Sequence, residues 1–463
     1  MPPPLPAYAA DSFSDALTAG WAALGGDPAR LGSVQQVGAQ SLPSAFAVSD
    51  LAAASVAVAG LALADYAADG GSMPSLEVDR RLASLWFATS LEASGWTPPP
   101  AWDPVAGDYP TTDGWIRLHT NAPHHRDAAL AVLGVAAERE AVAEAVARWN
   151  GEALESAIVE QCGCAAVMRS RTEWMVHPQG RAVAAEPLFW REEGAASERP
   201  ECPIRSARPL AGLKVLDLTR VLAGPTATRF LAGFGADVLR IDPPFWDDAA
   251  VLPDVTLGKR CARLDLRERD GRDRLTALLA EADVMVHGYR ADALERLGLG
   301  SAERQAIRPG LVDVCLDAYG WTGPWAKRRG FDSLVQMSCG IAEAGMRAFG
   351  TDRPKPLPVQ ALDHATGYLL AGAVLRGLTV RRATGLGSLW RSSLARVAEL
   401  LVSLPAAPVS DPLEAPQAAD YAPGLEQTGW GPAHRLRPPL RVQGSPMFWE
   451  RPAGPLGTAA AIW

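Results

Sequence analysis

From Pro209 to about Leu400, short β-branched segments alternate with amphipathic ones, and this pattern restricts the fold more than any other feature of the chain. Strands are predicted at residues 214–218, 236–241, 283–287 and 311–316. Helices are predicted between and after them, at residues 226–234, 270–280 and 291–297. Strands that alternate with helices form parallel sheets, because the crossover helices cover both faces. We therefore expect an α/β domain with a doubly wound, mostly parallel, Rossmann-like sheet.

Such sheets bind ligands at the carboxyl ends of their strands. The turn after the first predicted strand, Thr219–Pro225, lacks the G-x-G-x-x-G pattern of a dinucleotide site. Asp242 stands where an NAD site places its ribose-binding acid, but the glycines are missing. The sequence therefore disfavours a nicotinamide cofactor.

The remaining chain divides by composition and pattern. Residues 1–100 form an alanine-rich, helical N-terminal segment with helices predicted at 51–68 and 75–89. Residues 101–195 begin with a turn and an alternating strand, Asp113–His119, and continue with helices predicted at 124–134, 138–148 and 151–162. We expect a second, smaller α+β domain there, then a linker at 196–208, the Rossmann-like domain at 209–402 and a C-terminal return segment at 403–463.

Composition and charge narrow the function classes. A net charge of −8 gives no electrostatic case for a nucleic-acid partner. The first residues lack the positive start and apolar core of a signal peptide, and the longest apolar run, Leu51–Ala64, is too short to span a bilayer. The six cysteines show no metal-ligand spacing, which favours free thiols in a reducing compartment. We expect a cytoplasmic protein with no membrane, metal or nucleic-acid partner.

A faint internal repeat relates the two ends of the chain. Residues 53–83 align without gaps with residues 365–395, so that Gly60 falls on Gly372. The match is mostly apolar, and two unrelated amphipathic helices could produce it. If the repeat is real, the equivalent of Asp363 is Leu51, and the first copy lacks the acid.

Asp363 precedes a run, from Ala365 to about Arg382, that is well suited to form a helix. Aspartate is among the best helix N-caps, where it accepts hydrogen bonds from free backbone amides and contributes about 1 kcal/mol. Periodicity alone therefore favours a plain capping role.

The motifs of this domain resemble those of a known family. Pro209–Pro225 and Gly235–Asp242 are similar to the opening of the family III CoA-transferases, the CaiB/BaiF group. The likeness continues in order through Gly258–Arg260, Leu264–Leu266, Ala282–Val284, Ala293–Gly298, Tyr319–Pro324, Gly330–Asp332 and Ser338–Gly340, and then reaches Asp363. Each motif alone is weak evidence for the family, but the ordered series of motifs is specific for it.

The flanking segments resemble the same family in an unusual order. Asp113–Ile116 and Glu173-Trp174 look like its smaller domain, which normally follows the nucleotide-binding half. Arg437–Val442 and Ala453–Gly457 look like its closing segment. A tandem duplication that lost its outer parts would explain both this order and the faint repeat.

The resemblance implies that Asp363 is a nucleophile and that coenzyme A thioesters are substrates, with no permanently bound cofactor. In the implied mechanism the carboxylate attacks the donor thioester, a mixed anhydride and then an aspartyl-CoA thioester form, and an acceptor acid completes the exchange. Amides near Gly340 or Gly367 would stabilise the oxyanions. The family also implies a homodimer, in which the subunits are interlocked.

Cations at or beside the family's CoA-contact positions are candidates for binding the phosphates of coenzyme A. These candidates are Arg220, Arg240, Lys259, Arg260 and Arg296. Arginine can hold phosphate oxygens with two hydrogen bonds, and lysine binds them as a point charge. Surface solvation is the ordinary alternative for each.

Two other functions stay open. An α-methylacyl-CoA racemase, a branch of the same family, has histidine where this chain has Phe331, so racemisation is disfavoured. A non-catalytic CoA-binding homologue is the second alternative, because the chain is reordered. The sequence identifies neither the acyl donor nor the acceptor.

Overall fold

The computed structural model describes residues 11–68, 70–197, 207–405 and 411–463. Most of the predicted linker, 196–208, lies outside these residues, as does Cys202. The helices are α1 (Ser12–Ala23), α2 (Val48–Ala68), α3 (Arg80–Trp86), α4 (Pro123–Leu133), α5 (Arg139–Val146), α6 (Gly151–Glu160), α7 (Arg171–Val176), α8 (Pro178–Ala185), α9 (Ala223–Gly233), α10 (Leu252–Val255), α11 (Arg269–Glu281), α12 (Ser301–Ile307), α13 (Asp332–Ser338), α14 (Ile341–Phe349), α15 (Ala361–Thr384) and α16 (Leu394–Ser403). The strands are β1 (Val34–Val37), β2 (Leu76–Asp79), β3 (Leu91–Ala93), β4 (Gly107–Pro110), β5 (Trp115–Leu118), β6 (Ala165–Val167), β7 (Trp190–Ala196), β8 (Lys214–Leu218), β9 (Asp237–Asp242), β10 (Arg260–Arg263), β11 (Val284–His287), β12 (Val312–Asp317), β13 (Leu386–Ser393), β14 (Glu426–Thr428), β15 (Gly431–Arg435) and β16 (Leu440–Val442).

A seven-stranded sheet forms the centre of the large domain, in the order β10-β9-β8-β11-β12-β13-β7. Every neighbouring pair is parallel except β13 and β7. The order runs in opposite directions on the two sides of β8 and β11, so their carboxyl ends form the switch point at which such sheets bind ligands. The predicted α/β fold with a mostly parallel sheet is confirmed.

Helices cover both faces of this sheet, as the alternation along β8 shows. Val215 belongs to the core formed with α9 and α15, whereas Leu216 belongs to a second core formed with α11. Side chains of a strand point alternately to opposite faces, so a strand buried on both sides is apolar throughout. The two cores, one on each face of β8, agree with the predicted doubly wound sheet.

The other segments form three small sheets around the large domain. Strand β5 pairs with β4 on one side and with β6 on the other. These strands pack with α4, α5 and α6 around their own core. Strand β2 pairs with β1 on one side and with β16 on the other, and β3 pairs with β15, so the C-terminal segment is joined to the N-terminal one. Strand β7, at the end of the range predicted for the small domain, extends the large sheet instead.

Two helix predictions were wrong. The segment predicted as a helix at 75–89 begins with β2, and α3 starts only after Asp79, whose side chain accepts a hydrogen bond from the amide of Leu82. The segment 291–297 forms only a 3₁₀ turn, Glu295–Leu297, which ends at Gly298 with φ of 73°. In both places a capping or turn residue starts or stops the helix inside the periodic segment.

The faint repeat corresponds to a repeated order of elements. Residues 53–83 run through α2, β2 and α3, and residues 365–395 run through α15, β13 and the start of α16. Leu51, the equivalent of Asp363, is 1% exposed in the apolar core, and neighbouring Asp50 pairs with Arg80 at 2.8 Å. The first copy therefore also carries an acid in the first turn of its long helix, but Asp50 is one residue out of register with Asp363 and is paired with an arginine.

Helix α2 is longer than the apolar run within it. In the described part of the chain, this helix is long and apolar enough to cross a membrane. However, 83% of its most apolar stretch is buried inside the protein. It packs with α1 and α15 in the largest core, through residues such as Val56 and Val58. Burial within the protein accounts for its composition.

Helix α15 crosses α9 closely at Gly367. A Cβ atom built there would lie 2.4 Å from the carbonyl oxygen of Ala223 and 2.7 Å from Cβ of Thr226. The close approach places the start of α15 beside the loop that follows β8.

We expect Gly367→Ala to destabilise the protein by about 1–3 kcal/mol, because the added methyl group overpacks a backbone contact. Thermal unfolding measures the effect. Gly350→Ala is a space control: nothing lies within 4 Å of its Cβ position, although its φ of 61° adds some strain. A Gly367 variant as stable as the native protein would contradict the close crossing.

Candidate active site

A cavity of about 700 Å³ lies at the carboxyl edge of the large sheet, and Asp363 lines it. Three parts of the chain form its walls. The loops after β8, β9 and β12 contribute Val221, Leu222, Trp246, Asp248, Phe331 and Asp332; the N-terminal segment contributes Phe87, Thr89 and Leu91; the small domain and its approach contribute Trp102, His119 and Asn121. Loops after different strands converge here because parallel strands end at the same edge.

Asp363 occupies the first turn of α15, which begins at Ala361, and is not its N-cap. The capping role belongs to Asp332, whose Oδ2 accepts a hydrogen bond of 2.9 Å from the backbone amide of Asp363. Asp332 also accepts a hydrogen bond from the side chain of Gln336. Because another residue caps the helix, the side chain of Asp363 is left for a different purpose.

The Asp363 carboxylate is 6% exposed and has no hydrogen-bond partner among the described residues. Buried carboxylates are normally paired, so an unpaired one that lines a cavity marks a functional site. Burial, and then the charge of Asp332, raise the pKa of Asp363 well above its usual range. Burial raises the pKa of Asp332 to about 6. The surroundings of Asp363 therefore favour its protonated form, with burial as the main cause.

A buried polar network supports the cavity behind Asp363. His364 stacks on Phe87 with ring centroids 5.1 Å apart, and burial lowers its pKa to about 4. Asp254, at the cavity wall, accepts hydrogen bonds from Arg229 and Ser90. His364 is therefore neutral at physiological pH.

The small domain places a histidine opposite the large-domain wall. His119 stacks on Phe331 with ring centroids 3.7 Å apart and planes inclined by 9°. Burial lowers the pKa of His119 to about 3, so the ring is neutral. Sequence reasoning missed this residue, because no spacing in the small domain relates it to Asp363.

The loop after β8 is held in a strained conformation where it meets the cavity. Val221 has φ of 63°, a region that β-branched residues rarely adopt. Its amide donates to Asp248 at 3.2 Å, and the indole of Trp246 donates to the same carboxylate at 2.7 Å. Asp248 thus holds two parts of the cavity wall through hydrogen bonds to its Oδ2 atom.

Three of the five predicted phosphate-binding cations lie away from the cavity with partners of their own. Arg240 and Lys259 have completely buried side chains, which pair with Asp242 at 2.8 Å and with Asp217 at 2.9 Å. Arg260 binds Asp237 at 2.7 Å and the backbone of the C-terminal segment. A phosphate has no access to Arg240 or Lys259 in this structure, because the sheet and α9 cover them.

The other two predicted cations belong to a basic cluster, defined here as Arg220, Arg290, Arg296, Lys327 and Arg329. The guanidinium of Arg220 lies 4.8 Å from the ring centroid of Trp246, which lines the cavity. Burial and then the charge of Arg329 lower the pKa of Arg290. Arg296 and Lys327 lie 2.7 Å and 4.0 Å from the single carboxylate of Asp292. The cluster therefore starts at the Trp246 end of the cavity and carries more positive than negative charge.

The glycines expected near the oxyanion are placed elsewhere. Gly367 lies inside α15 at its crossing with α9, and Gly340 packs against the backbone of Arg171. Neither lines the cavity.

The family match covers the segment of the chain that contains Asp363. Residues 210–428 match the CoA-transferase family III. The chain is 31% identical over 306 residues to an acetyl-coenzyme A transferase of Hypoxylon pulicicidum, covering 61% of this chain and 51% of that protein. It is 31% identical over 223 residues to the succinyl-CoA:glutarate CoA-transferase of Mus musculus, covering 45% and 49%.

Among solved structures, a CaiB/BaiF family protein from Brucella suis is 27% identical, with a TM-score of 0.38 and coverage of 49% of this chain and 65% of that one. The chain spans about half the length of the curated relatives it matches. The family predicted from the ordered motifs is confirmed for residues 210–428, which match the family III CoA-transferases.

Proposed function

We propose that the chain is an enzyme that transfers coenzyme A from an acyl-CoA donor to a carboxylic acid acceptor. One observation carries the proposal: Asp363 is a buried carboxylate without a hydrogen-bond partner in the described residues, and it lines a cavity at the ligand-binding edge of the sheet. Its place in the family segment supports the same role.

In the proposed reaction the ionised Asp363 attacks the thioester carbon of the donor. The carbon–sulfur bond breaks, a mixed anhydride forms and coenzyme A leaves as the thiolate. The thiolate then attacks the aspartyl carbonyl, which gives an aspartyl-CoA thioester and releases the donor's acid. The acceptor carboxylate then attacks the carbonyl of the aspartyl-CoA thioester, which releases the CoA thiolate and forms a second mixed anhydride. The thiolate attacks the acceptor's carbonyl carbon, which gives the new acyl-CoA and frees the Asp363 carboxylate. A series of easier acyl transfers thus replaces one difficult exchange.

Asp332 supports the first step by its charge. Two neighbouring carboxylates repel each other, so ionised Asp363 is destabilised and more basic. Acylation removes its negative charge and relieves the repulsion. The pair therefore favours the covalent intermediates over the resting enzyme.

The position of the basic cluster indicates how an acyl-CoA would be oriented in the cavity. Its cations suit the phosphates of coenzyme A, and Trp246 joins the cluster to the cavity. Pantetheine would then run along the cavity towards Asp363, with the acyl group at the far end.

The double substitution Arg290→Gln and Arg329→Gln is expected to raise KM for acyl-CoA by about 10- to 100-fold with little change in kcat, because phosphate binding is lost away from the reacting carbon. Steady-state kinetics at several salt concentrations measure it. Arg269→Gln makes the same kind of charge change at a side chain that is 86% exposed on α11, and it should leave KM unchanged. An unaltered KM in the double variant would contradict the proposed orientation.

A racemase is a second candidate, because His119 lies directly against Phe331. A 2-methylacyl-CoA incubated with the enzyme in D₂O distinguishes the two functions, since only a racemase exchanges the α-proton. We expect no deuterium at the α-carbon. Rapid exchange that depends on His119 would favour the racemase.

A screen of acyl-CoA donors against free carboxylic acids tests the proposed function, with formation of the new thioester as the signal. Turnover that disappears in the Asp363 variants supports it. No turnover with any pair, together with retained binding of coenzyme A, would favour a non-catalytic homologue. Cytoplasmic localisation and a homodimer remain predictions.

A further inference from the structure

The cavity around Asp363 has an unusual balance of charge. No lysine or arginine lines it among the residues that the structure describes, whereas six aspartates do: Asp103, Asp247, Asp248, Asp254, Asp332 and Asp363. Any negative charge that enters with a substrate would therefore lack a direct cationic partner. It would also face carboxylates at short range.

Two arginines beside the cavity's acids are already committed to ion pairs. Arg117, whose charge acts on Asp332, binds Asp108 at 2.7 Å, and Arg229 is held by Asp254. The basic cluster lies at the Trp246 end, where the phosphates of coenzyme A are proposed to bind. Among the residues described by the structure, no lysine or arginine on the cavity wall is left to neutralise an acyl group beside Asp363.

Most of the cavity's acids are also committed. Asp103 binds Arg126 at 3.1 Å, and Asp248 accepts hydrogen bonds from Trp246 and Val221. The carboxylates near Asp363 are therefore poorly placed to recognise a positively charged acyl group. The remaining wall is apolar, and it includes Phe87, Leu222, Val251, Phe331 and Val359.

From this lining we infer that the enzyme acts on acyl groups with an uncharged, apolar chain, and that it discriminates against the CoA thioesters of dicarboxylic acids. The inference rests on the proposed function and specifies its substrate class. Burial of an unpaired charge is costly, and nearby like charges add to the cost. The volume of about 700 Å³ leaves space for such a chain beside pantetheine.

Butyryl-CoA and succinyl-CoA form a matched pair, because they differ only in a terminal methyl or carboxylate group. The measurement is the rate at which the intact protein becomes the aspartyl-CoA thioester, with release of the free acid, and it needs no acceptor. We expect butyryl-CoA to react about 100-fold faster, a size typical of one uncompensated charge. A preference of about tenfold or more supports the inference, and a smaller one overturns it. A 6-aminohexanoyl-CoA that reacts faster than hexanoyl-CoA would overturn it too.

Two substitutions test the cause of the preference. Leu222→Arg places a cation on the half-buried wall, and Asp248→Asn removes a carboxylate but keeps an acceptor for its two donors. At least one should raise the succinyl-to-butyryl ratio about tenfold, whereas Leu425→Arg, at an exposed position outside the cavity, should not change it. An unchanged ratio in both variants overturns the inference.

The outcomes also separate this inference from the proposed function on which it rests. If no thioester modifies the protein, the proposed function itself fails. If both thioesters modify it equally, only the inferred substrate class fails.

Discussion

Replacing Asp363 with asparagine is expected to reduce CoA transfer by at least about 10⁴-fold, because removing a covalent nucleophile leaves only binding and positioning. The amide has nearly the same shape as the carboxylate, and the residue caps no backbone group, so the fold should be unaffected. Donor-to-acceptor transfer and acyl-CoA binding should be measured on the same preparation. Binding should survive while turnover is lost.

The same substitution should stabilise the protein at alkaline pH. Because the pKa of Asp363 is raised in the folded state, the folded protein holds this proton more tightly than the unfolded chain does. The ionised carboxylate therefore lowers the free energy of unfolding above the folded-state pKa, and this cost disappears as the pH falls towards the unfolded value near 4. We expect Asp363→Asn to raise Tm by roughly 1–3 °C at pH 9 and not at pH 4.

Asp50→Asn is the matched control, since Asp50 lies beside Leu51, the repeat equivalent of Asp363, and pairs with Arg80 away from the cavity. It should retain CoA transfer and should not gain stability at alkaline pH. Full transfer activity in the Asp363 variant would remove the basis of the proposed mechanism.

Asp332→Asn is expected to shift the acid limb of the acylation rate to lower pH. Removing the neighbouring charge lowers the pKa of Asp363, so a larger fraction is ionised under acidic conditions. The less basic carboxylate is also a weaker nucleophile, so the rate at high pH should fall. A neighbouring charge commonly changes ionisation by about tenfold or more. Because the pKa of Asp332 is about 6, its charge is present at pH 7, and we expect the variant to be about tenfold faster than the native enzyme at pH 7 and slower at pH 9. Pre-steady-state acylation with one acyl-CoA across this range measures both arms.

Gln336→Met separates the charge of Asp332 from its hydrogen bonds. Gln336 donates to Asp332 and accepts from the amide of Leu357 at 2.7 Å, so this variant disturbs the same contacts without changing the charge. Its acid limb should not move to lower pH. Equal shifts in the two variants would assign Asp332 a merely structural role.

The sequence predicted the large domain well because its information is local. The apolar runs of β8 and β11 and the helical period of α11 are visible within short windows, and they suffice for the sheet class. Asp363 was identified by the order of family motifs rather than by periodicity, which favoured a plain cap. The structure shows that Asp332 and not Asp363 supplies the cap, and the nucleophilic role of Asp363 stays a prediction.

The site's surroundings depend on contacts between distant segments, which local patterns do not reveal. Arg240 and Lys259 carry charge in the sequence, but only the fold shows that each is sealed against an aspartate. The basic cluster gathers residues from three separate loops. Three of its members, Arg290, Lys327 and Arg329, were not identified from the sequence. His119 reaches the cavity only because the small domain packs on it.

Peptide mapping after reaction with an acyl-CoA and hydroxylamine tests the central claim most directly. Hydroxylamine converts an aspartyl thioester or anhydride into a stable hydroxamate, so the modified residue keeps a mass change. The account predicts this change on Asp363, dependent on the acyl-CoA and absent from Asp332. Modification at another residue, or sustained CoA transfer with Asp363 unmodified, would contradict it.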